Sequence, residues 1–125
     1  MTQKILIVED IEDNRQILRD LLGMAGYTTI EAQDGAEGIA MAAEHRPDLI
    51  LMDIQMPVMD GYEATRLIKA DPALKTIPVI AVTSYALSGD EEKARAAGCD
   101  GYVAKPFSPR QMLAKVREVL GRLGG

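Results

Sequence analysis

The chain has 125 residues, 47% of them apolar and 26% charged, which is enough for one domain with one core and excludes disorder, collagen and coiled coil. A formal net charge of −5 and a pI near 4.8 argue against direct nucleic-acid binding, which needs a basic face. No apolar run approaches the roughly 20 residues of a membrane span, and Ile5 to Val8 is too short, and too soon followed by Glu9 and Asp10, to be a signal peptide.

Lys4 to Val8 is β-branched and aliphatic on both faces, which predicts a strand buried on both sides of a parallel sheet. From Ile11 the apolar positions shift to helical spacing, with Ile11, Leu18, Leu21, Leu22 and Ala25 inward, Arg15, Gln16 and Arg19 outward, and Gly26 as the stop. Tyr27 to Ala32 reads as a second strand. Asp34-Gly35-Ala36-Glu37 has the form of a helix-start box; Ile39, Ala40 and Ala43 give that helix its buried stripe, and Arg46-Pro47 ends it.

Leu49 to Asp53 is the third strand, an apolar run that ends in a carboxylate. Asp60-Gly61-Tyr62-Glu63 opens a third helix with Ala64, Leu67 and Ile68 inward, stopped by Asp71-Pro72. Ile77 to Val82 is the fourth strand, ending in Thr83-Ser84. Ser88-Gly89-Asp90-Glu91 starts a short, alanine-rich helix that Gly98 ends, and Gly101 to Ala104 is the fifth strand, before Lys105-Pro106. Ser108-Pro109-Arg110-Gln111 is the strongest helix start, with a serine cap, proline at the first position and glutamine three on. Met112, Leu113, Val116, Val119 and Leu120 form its buried stripe, and Gly121 is predicted to end it.

Five strands alternating with five helices imply βαβ units with right-handed crossovers, so every strand points its carboxyl end at one edge of the sheet. Ligands of open α/β sheets collect at that edge. The residues there are Glu9 and Asp10, Asp53, Thr83 and Ser84, and Lys105. Three close carboxylates repel and call for compensation. With Cys99 and His45 the only residues of their types, a disulfide, a zinc cluster or a Ser-His-Asp triad is not a workable reading, and a cytoplasmic home is the default. A hard cation with oxygen ligands, Mg²⁺, suits the acids. Asp53 beside it could attack phosphorus and form an acyl phosphate, with Lys105 sharing the charge and Thr83 hydrogen-bonding a phosphoryl oxygen. Plainer roles stay open: Glu9 and Asp10 as caps of the first helix, Thr83 as strand filling, Lys105 as a surface lysine.

Taken together, Glu9-Asp10, Asp53 in LILMDIQMPVMDG, Thr83 in VIAVTS and Lys105-Pro106 in GYVAKPF resemble, in order and spacing and over essentially the whole chain, the receiver domain of two-component response regulators. LILMDIQMP, IPVIAVT and GDEE are most similar to stand-alone receivers of the DivK kind. The resemblance implies a single receiver domain over 1–125: an α/β, doubly wound five-stranded parallel sheet in the order 2-1-3-4-5 with helices on both faces, the flavodoxin-like receiver fold. It implies Asp53 as phosphoacceptor for a histidine kinase or histidine phosphotransfer protein. Mg²⁺ would be held by Asp10, Asp53 and the backbone carbonyl of Gln55, with Glu9 helping through water. Glu9 stands where many relatives have Asp, and its longer arm leaves direct or water-mediated contact open.

The same resemblance implies phosphoryl contacts from Thr83 and Lys105, a cis Lys105-Pro106 bond, and a switch in which Thr83 moves toward the phosphoryl group and Tyr102 turns inward behind it. Gln55 and Tyr85 occupy positions that tune dephosphorylation in the family. Output would pass through the face of the fourth helix, fifth strand and fifth helix, with Tyr85, Ala86, Ser88, Tyr102, Ala104 and Phe107 as candidates. Phe107 has packing beneath the last helix as an equal alternative. The expected state is a monomer or weak homodimer acting on a downstream protein rather than on nucleic acid or a membrane.

Three rival functions compete with this reading. A turnover phosphatase using an aspartyl phosphate would want a second aspartate at position 55, which is Gln. A flavin carrier would want a Ser/Thr/Gly-rich loop where Glu9 to Asn14 is acidic, and no G-x-x-x-x-G-K loop is present. A phosphorylation-independent interaction module is the remaining alternative.

Overall fold

Residue alternation along the central strands decides the layers. The computed structural model describes residues 2–83 and 90–124. Its strands are β1 (Lys4–Val8), β2 (Thr28–Ala32), β3 (Leu49–Asp53), β4 (Val79–Thr83) and β5 (Gly101–Ala104), all parallel, in the order β2-β1-β3-β4-β5. Its helices are α1 (Glu12–Met24), α2 (Gly35–His45), α3 (Gly61–Ala70), α4 (Asp90–Ala97) and α5 (Pro109–Gly124).

Side chains of a strand alternate between its faces. Ile5 and Ile7, Leu49 and Leu51, and Ile80 and Val82 face one core, closed by Leu18 and Leu22 of α1 and by Met112, Val116 and Val119 of α5. Leu6 and Val8, Ile50 and Met52, and Val79 face the other, closed by Ala42 of α2 and by Ala64 and Ile68 of α3. A smaller cluster of Ile54, Ala81 and Ala94 joins α4 to the sheet. Burial on both faces is why β1, β3 and β4 read as unbroken apolar runs.

The helix starts follow their side chains. Asp34 and Asp60 accept from the backbone N–H of Glu37 (2.8 Å) and Glu63 (2.9 Å). Ser108 and Gln111 close a reciprocal box, at 3.1 Å and 2.7 Å. The Ser88 start lies outside the described residues. Gly26 ends the α1 turn with φ +95°, a conformation that L side chains rarely adopt.

Several expectations are corrected. β2 begins at Thr28 rather than Tyr27, and β4 at Val79 rather than Ile77. The α2 stripe is Gly35, Gly38 and Ala42; Ala40 and Ala43 are exposed, because the close approach of α2 to Val8 selects the glycine side of the helix. In α3 the buried partner of Ala64 and Ile68 is Thr65, whose hydroxyl donates to the Gly61 carbonyl at 2.7 Å, while Leu67 is exposed. Helix α5 runs past Gly121 to Gly124. A helical glycine costs stability but ends a helix only when the backbone turns left-handed there. Ile11 is exposed at the start of α1, and Arg15, expected outside, is buried.

Candidate functional site

Strand register brings the sequence-separated residues to one edge. Val8 pairs with Met52, Asp53 with Val82, and Thr83 with Ala104, so Glu9, Asp53, Thr83 and Lys105 leave four adjacent strands at the same level. The Glu9, Asp10 and Asp53 carboxylates each offer an oxygen within 4.8 Å of the others. Glu9 is 1% exposed and Asp53 5%, so these acids face one another largely without water.

Each is held by specific contacts. Glu9 Oε1 meets Lys105 Nζ at 3.2 Å and its Oε2 accepts the Ile11 N–H at 3.2 Å. Asp53 Oδ1 accepts the Gln55 N–H at 3.2 Å and lies 4.0 Å from Lys105 Nζ. The Gln55 side-chain amide donates to Thr83 Oγ1 at 2.7 Å, and Thr83 is fully buried. The Lys105–Pro106 bond is cis, and the Lys105 N–H donates to the Thr83 carbonyl at 2.6 Å.

Burial, and then the adjacent Glu9, push the Asp53 carboxyl up to about 7, against the pull of Lys105 and the Gln55 N–H. Burial and Glu9 also push Asp10 up. Burial works the same way on Glu9, but hydrogen bonds from Asp53, Asp10 and the Ile11 N–H, with Lys105 close by, leave it below its ordinary value. Without a cation the trio therefore holds a proton, mainly on Asp53, until the pH approaches about 7.

The donor set fits a hard divalent ion. All three ligand groups are carboxylates, with no imidazole or thiol beside them among the described residues. Asp10 Oδ1 is buried with no hydrogen-bond partner there, a polar atom that a cation would satisfy.

Two contributors escaped the sequence reading. Arg15 Nη1 donates to the Glu9 carbonyl at 2.7 Å, while the same guanidinium pairs with Glu12 and, at 3.3 Å, with Glu31 of β2. It fixes the backbone that carries the first acid. Helical spacing put Arg15 on the polar side, and only the depth of the β1–α1 turn turns it inward. Gly61 is the other: a Cβ there would lie 2.3 Å from the Asp53 carbonyl oxygen, so only glycine lets α3 start against the end of β3. The Asp-Gly pair was legible as a helix start, but not as this close approach.

Tyr102 is half-buried and packs against the Ile54–Ala81–Ala94 cluster. Phe107 packs partly against the α1/α5 core and lines, with Tyr102, Ala104 and Lys115, a groove of about 560 Å³ between β5 and α5. Tyr85, Ala86 and Ser88 lie outside the described residues. Neither Glu9 nor Asp10 caps α1 with its side chain; Ile11 stands at the cap position, without a side-chain bond.

Fold and site together define a doubly wound α/β protein with an acidic, lysine-flanked pocket at the carboxyl edge of its sheet. The model of the response regulator receiver domain matches residues 5–117, and the chain belongs to that family, the receivers of two-component signalling. The polar-differentiation response regulator DivK of Brucella ovis is 47% identical over 121 residues, covering 97% of this chain and 98% of that protein. Chemotaxis protein CheY4 of Vibrio cholerae superposes with a TM-score of 0.90 at 32% identity, covering 95% and 99% of the two chains. The receiver domain of a sensor histidine kinase from Pseudomonas aeruginosa PAO1, solved with a magnesium ion coordinated in its active-site cleft, superposes at 0.89 with 38% identity over 97% and 99%. Among the described residues, no helix is long and apolar enough to cross a membrane.

Proposed function

We propose that the chain, as one receiver domain over residues 1–125, takes a phosphoryl group onto Asp53 from a histidine kinase or histidine phosphotransfer protein. The observation that carries this is the close carboxylate trio, with Glu9 and Asp53 buried, the partnerless Asp10 Oδ1 on one side and Lys105 on the other. Asp10, Asp53 and the Gln55 carbonyl would hold Mg²⁺. Glu9, whose two oxygens already serve Lys105 and the Ile11 N–H, would assist through water. Bound there, the ion would neutralise charge on the phosphoryl oxygens.

In the transfer an Asp53 carboxylate oxygen bonds to phosphorus as the P–N bond to the donor imidazole breaks, and the ring leaves with the electron pair and takes up a proton. Lys105 stabilises the charge that gathers on the phosphoryl oxygens, and Thr83 donates its hydroxyl to one of them. Phosphorylation biases a two-state packing of Thr83 and Tyr102, read out by a protein partner on the face of α4, β5 and α5. Turnover of small phosphomonoesters is not part of this reading. The free Cys99 thiol suits a reducing, cytoplasmic setting, and a monomer or weak homodimer suffices.

The test is incubation with acetyl phosphate, with and without Mg²⁺, and intact mass beside an Asp53→Asn control. A Mg²⁺-dependent gain of one phosphoryl group, lost in the control, is expected. No gain at any Mg²⁺ concentration would favour a phosphorylation-independent interaction module, and a gain in the control would mean a different nucleophile.

A further inference from the structure

Gln55 touches both ends of the site at once. Its backbone N–H donates to Asp53 Oδ1 at 3.2 Å, and its side-chain amide donates to Thr83 Oγ1 at 2.7 Å. Thr83 is fully buried and its carbonyl accepts the Lys105 N–H, so its backbone is tied into the sheet and a rearrangement there falls to the side chain. A β-branched side chain has few χ1 wells, so that change is a jump between discrete rotamers.

We propose that the Gln55 amide is a latch on Thr83 that sets how far the unphosphorylated switch leans toward its resting state. This rests on the phosphorylation-switch reading above and concerns the resting bias, not the rate at which the phosphoryl group is lost. The amide–hydroxyl bond joins two neutral groups, and one such bond biases an equilibrium by about threefold to tenfold. A phosphoryl oxygen is an ionised acceptor, and bonds to ionised partners are roughly twice as strong. Thr83 Oγ1 accepts in the latch and would donate to a phosphoryl oxygen, so the two compete through the side-chain rotamer each requires, and the stronger bond to the ionised group prevails. Modification of Asp53 also disturbs the oxygen that anchors the Gln55 backbone, so one event loosens the latch and supplies its competitor. The geometry thus makes Gln55 a positioning residue for Thr83.

The signal can be read at Tyr102, which shares a cluster with Ala81 and pairs with it across the sheet, two residues before Thr83 in β4. The protein would be labelled with 3-fluorotyrosine, the Tyr102 ¹⁹F line assigned with Tyr102→Phe, and spectra taken before and after Mg²⁺ with beryllofluoride, a phosphoryl mimic. The native chain should shift on addition. If it does not, the switch reading fails and the latch with it. Given that shift, the resting line of Gln55→Met should already lie part-way toward the beryllofluoride position, matching a threefold to tenfold rise in the switched-to-resting ratio. In a Thr83→Val background, which lacks the hydroxyl, Gln55→Met should add no shift. A resting line that stays put in Gln55→Met, or that moves equally without the Thr83 hydroxyl, would overturn the latch while leaving the switch standing.

Discussion

At the scale of single residues, the site is a cluster of charges whose cost is visible in its titration. Burial beside Glu9 pushes the Asp53 carboxyl up to about 7 from its ordinary 3.8. Between those values the folded protein keeps a proton that the unfolded chain has lost, so this group's contribution to stability rises as pH falls from 8 toward 5. Glu9 is shifted the other way, so its contribution is present above 4.5 and is lost only below that window. In chelator, urea unfolding should therefore show Asp53→Asn more stable than the native chain at pH 8, by on the order of 2 kcal/mol, with the gap shrinking toward pH 5. Arg15 gives the opposite test. Arg15→Met strands the Glu9 carbonyl and should cost about 1–3 kcal/mol in the same assay, and it should weaken Mg²⁺ binding measured by calorimetry.

At the scale of elements, helix starts and strand ends were the legible part. The bounds of β1, β3 and β5 and the caps at Asp34, Asp60 and Ser108 follow from local chemistry, because a carboxylate or hydroxyl beside exposed N–H groups needs nothing distant to act. Ser108→Ala should lower stability by about 1 kcal/mol, read as a drop in denaturation midpoint with unchanged slope. What local pattern could not give was which side of each helix goes inward when the residues are small. Ala40 and Ala43 look as apolar as Ala42, and only contact with Val8 chooses among them. Gly61 is the sharpest such case. Gly61→Ala should cost about 1–3 kcal/mol by overpacking against the Asp53 carbonyl, and phosphorylation from acetyl phosphate should slow in parallel.

At the scale of the whole molecule, residues from position 9 to position 105 form one pocket because parallel strands put all their carboxyl ends on one edge. That convergence could be inferred from the order of elements. The inward turn of Arg15, the closeness of Glu9 to Lys105 and the bridge from Gln55 to Thr83 could not, since each depends on side-chain reach across strands. Because the pocket joins the ends of four adjacent strands, occupying it should stabilise the entire domain. Mg²⁺ at ten times its dissociation constant should add about 1.4 kcal/mol and raise the melting midpoint by about 5 °C, an effect that Asp10→Ala should abolish in calorimetric scans.

The close seat of α3 on the end of β3 gives the pocket unequal mechanics. On that side the Asp53 carbonyl and the Gly61 Cα leave no slack, so any displacement of the strand end is passed to the helix as by a rigid bearing. On the other side α4 meets the sheet through the small side chain of Ala94, in a smaller cluster than either main core. A rearrangement at Asp53 has little room on the α3 side and more on the side of β4, α4 and β5. Under the proposed phosphorylation switch, this difference in packing would direct the rearrangement toward β4, α4 and β5 before any partner binds.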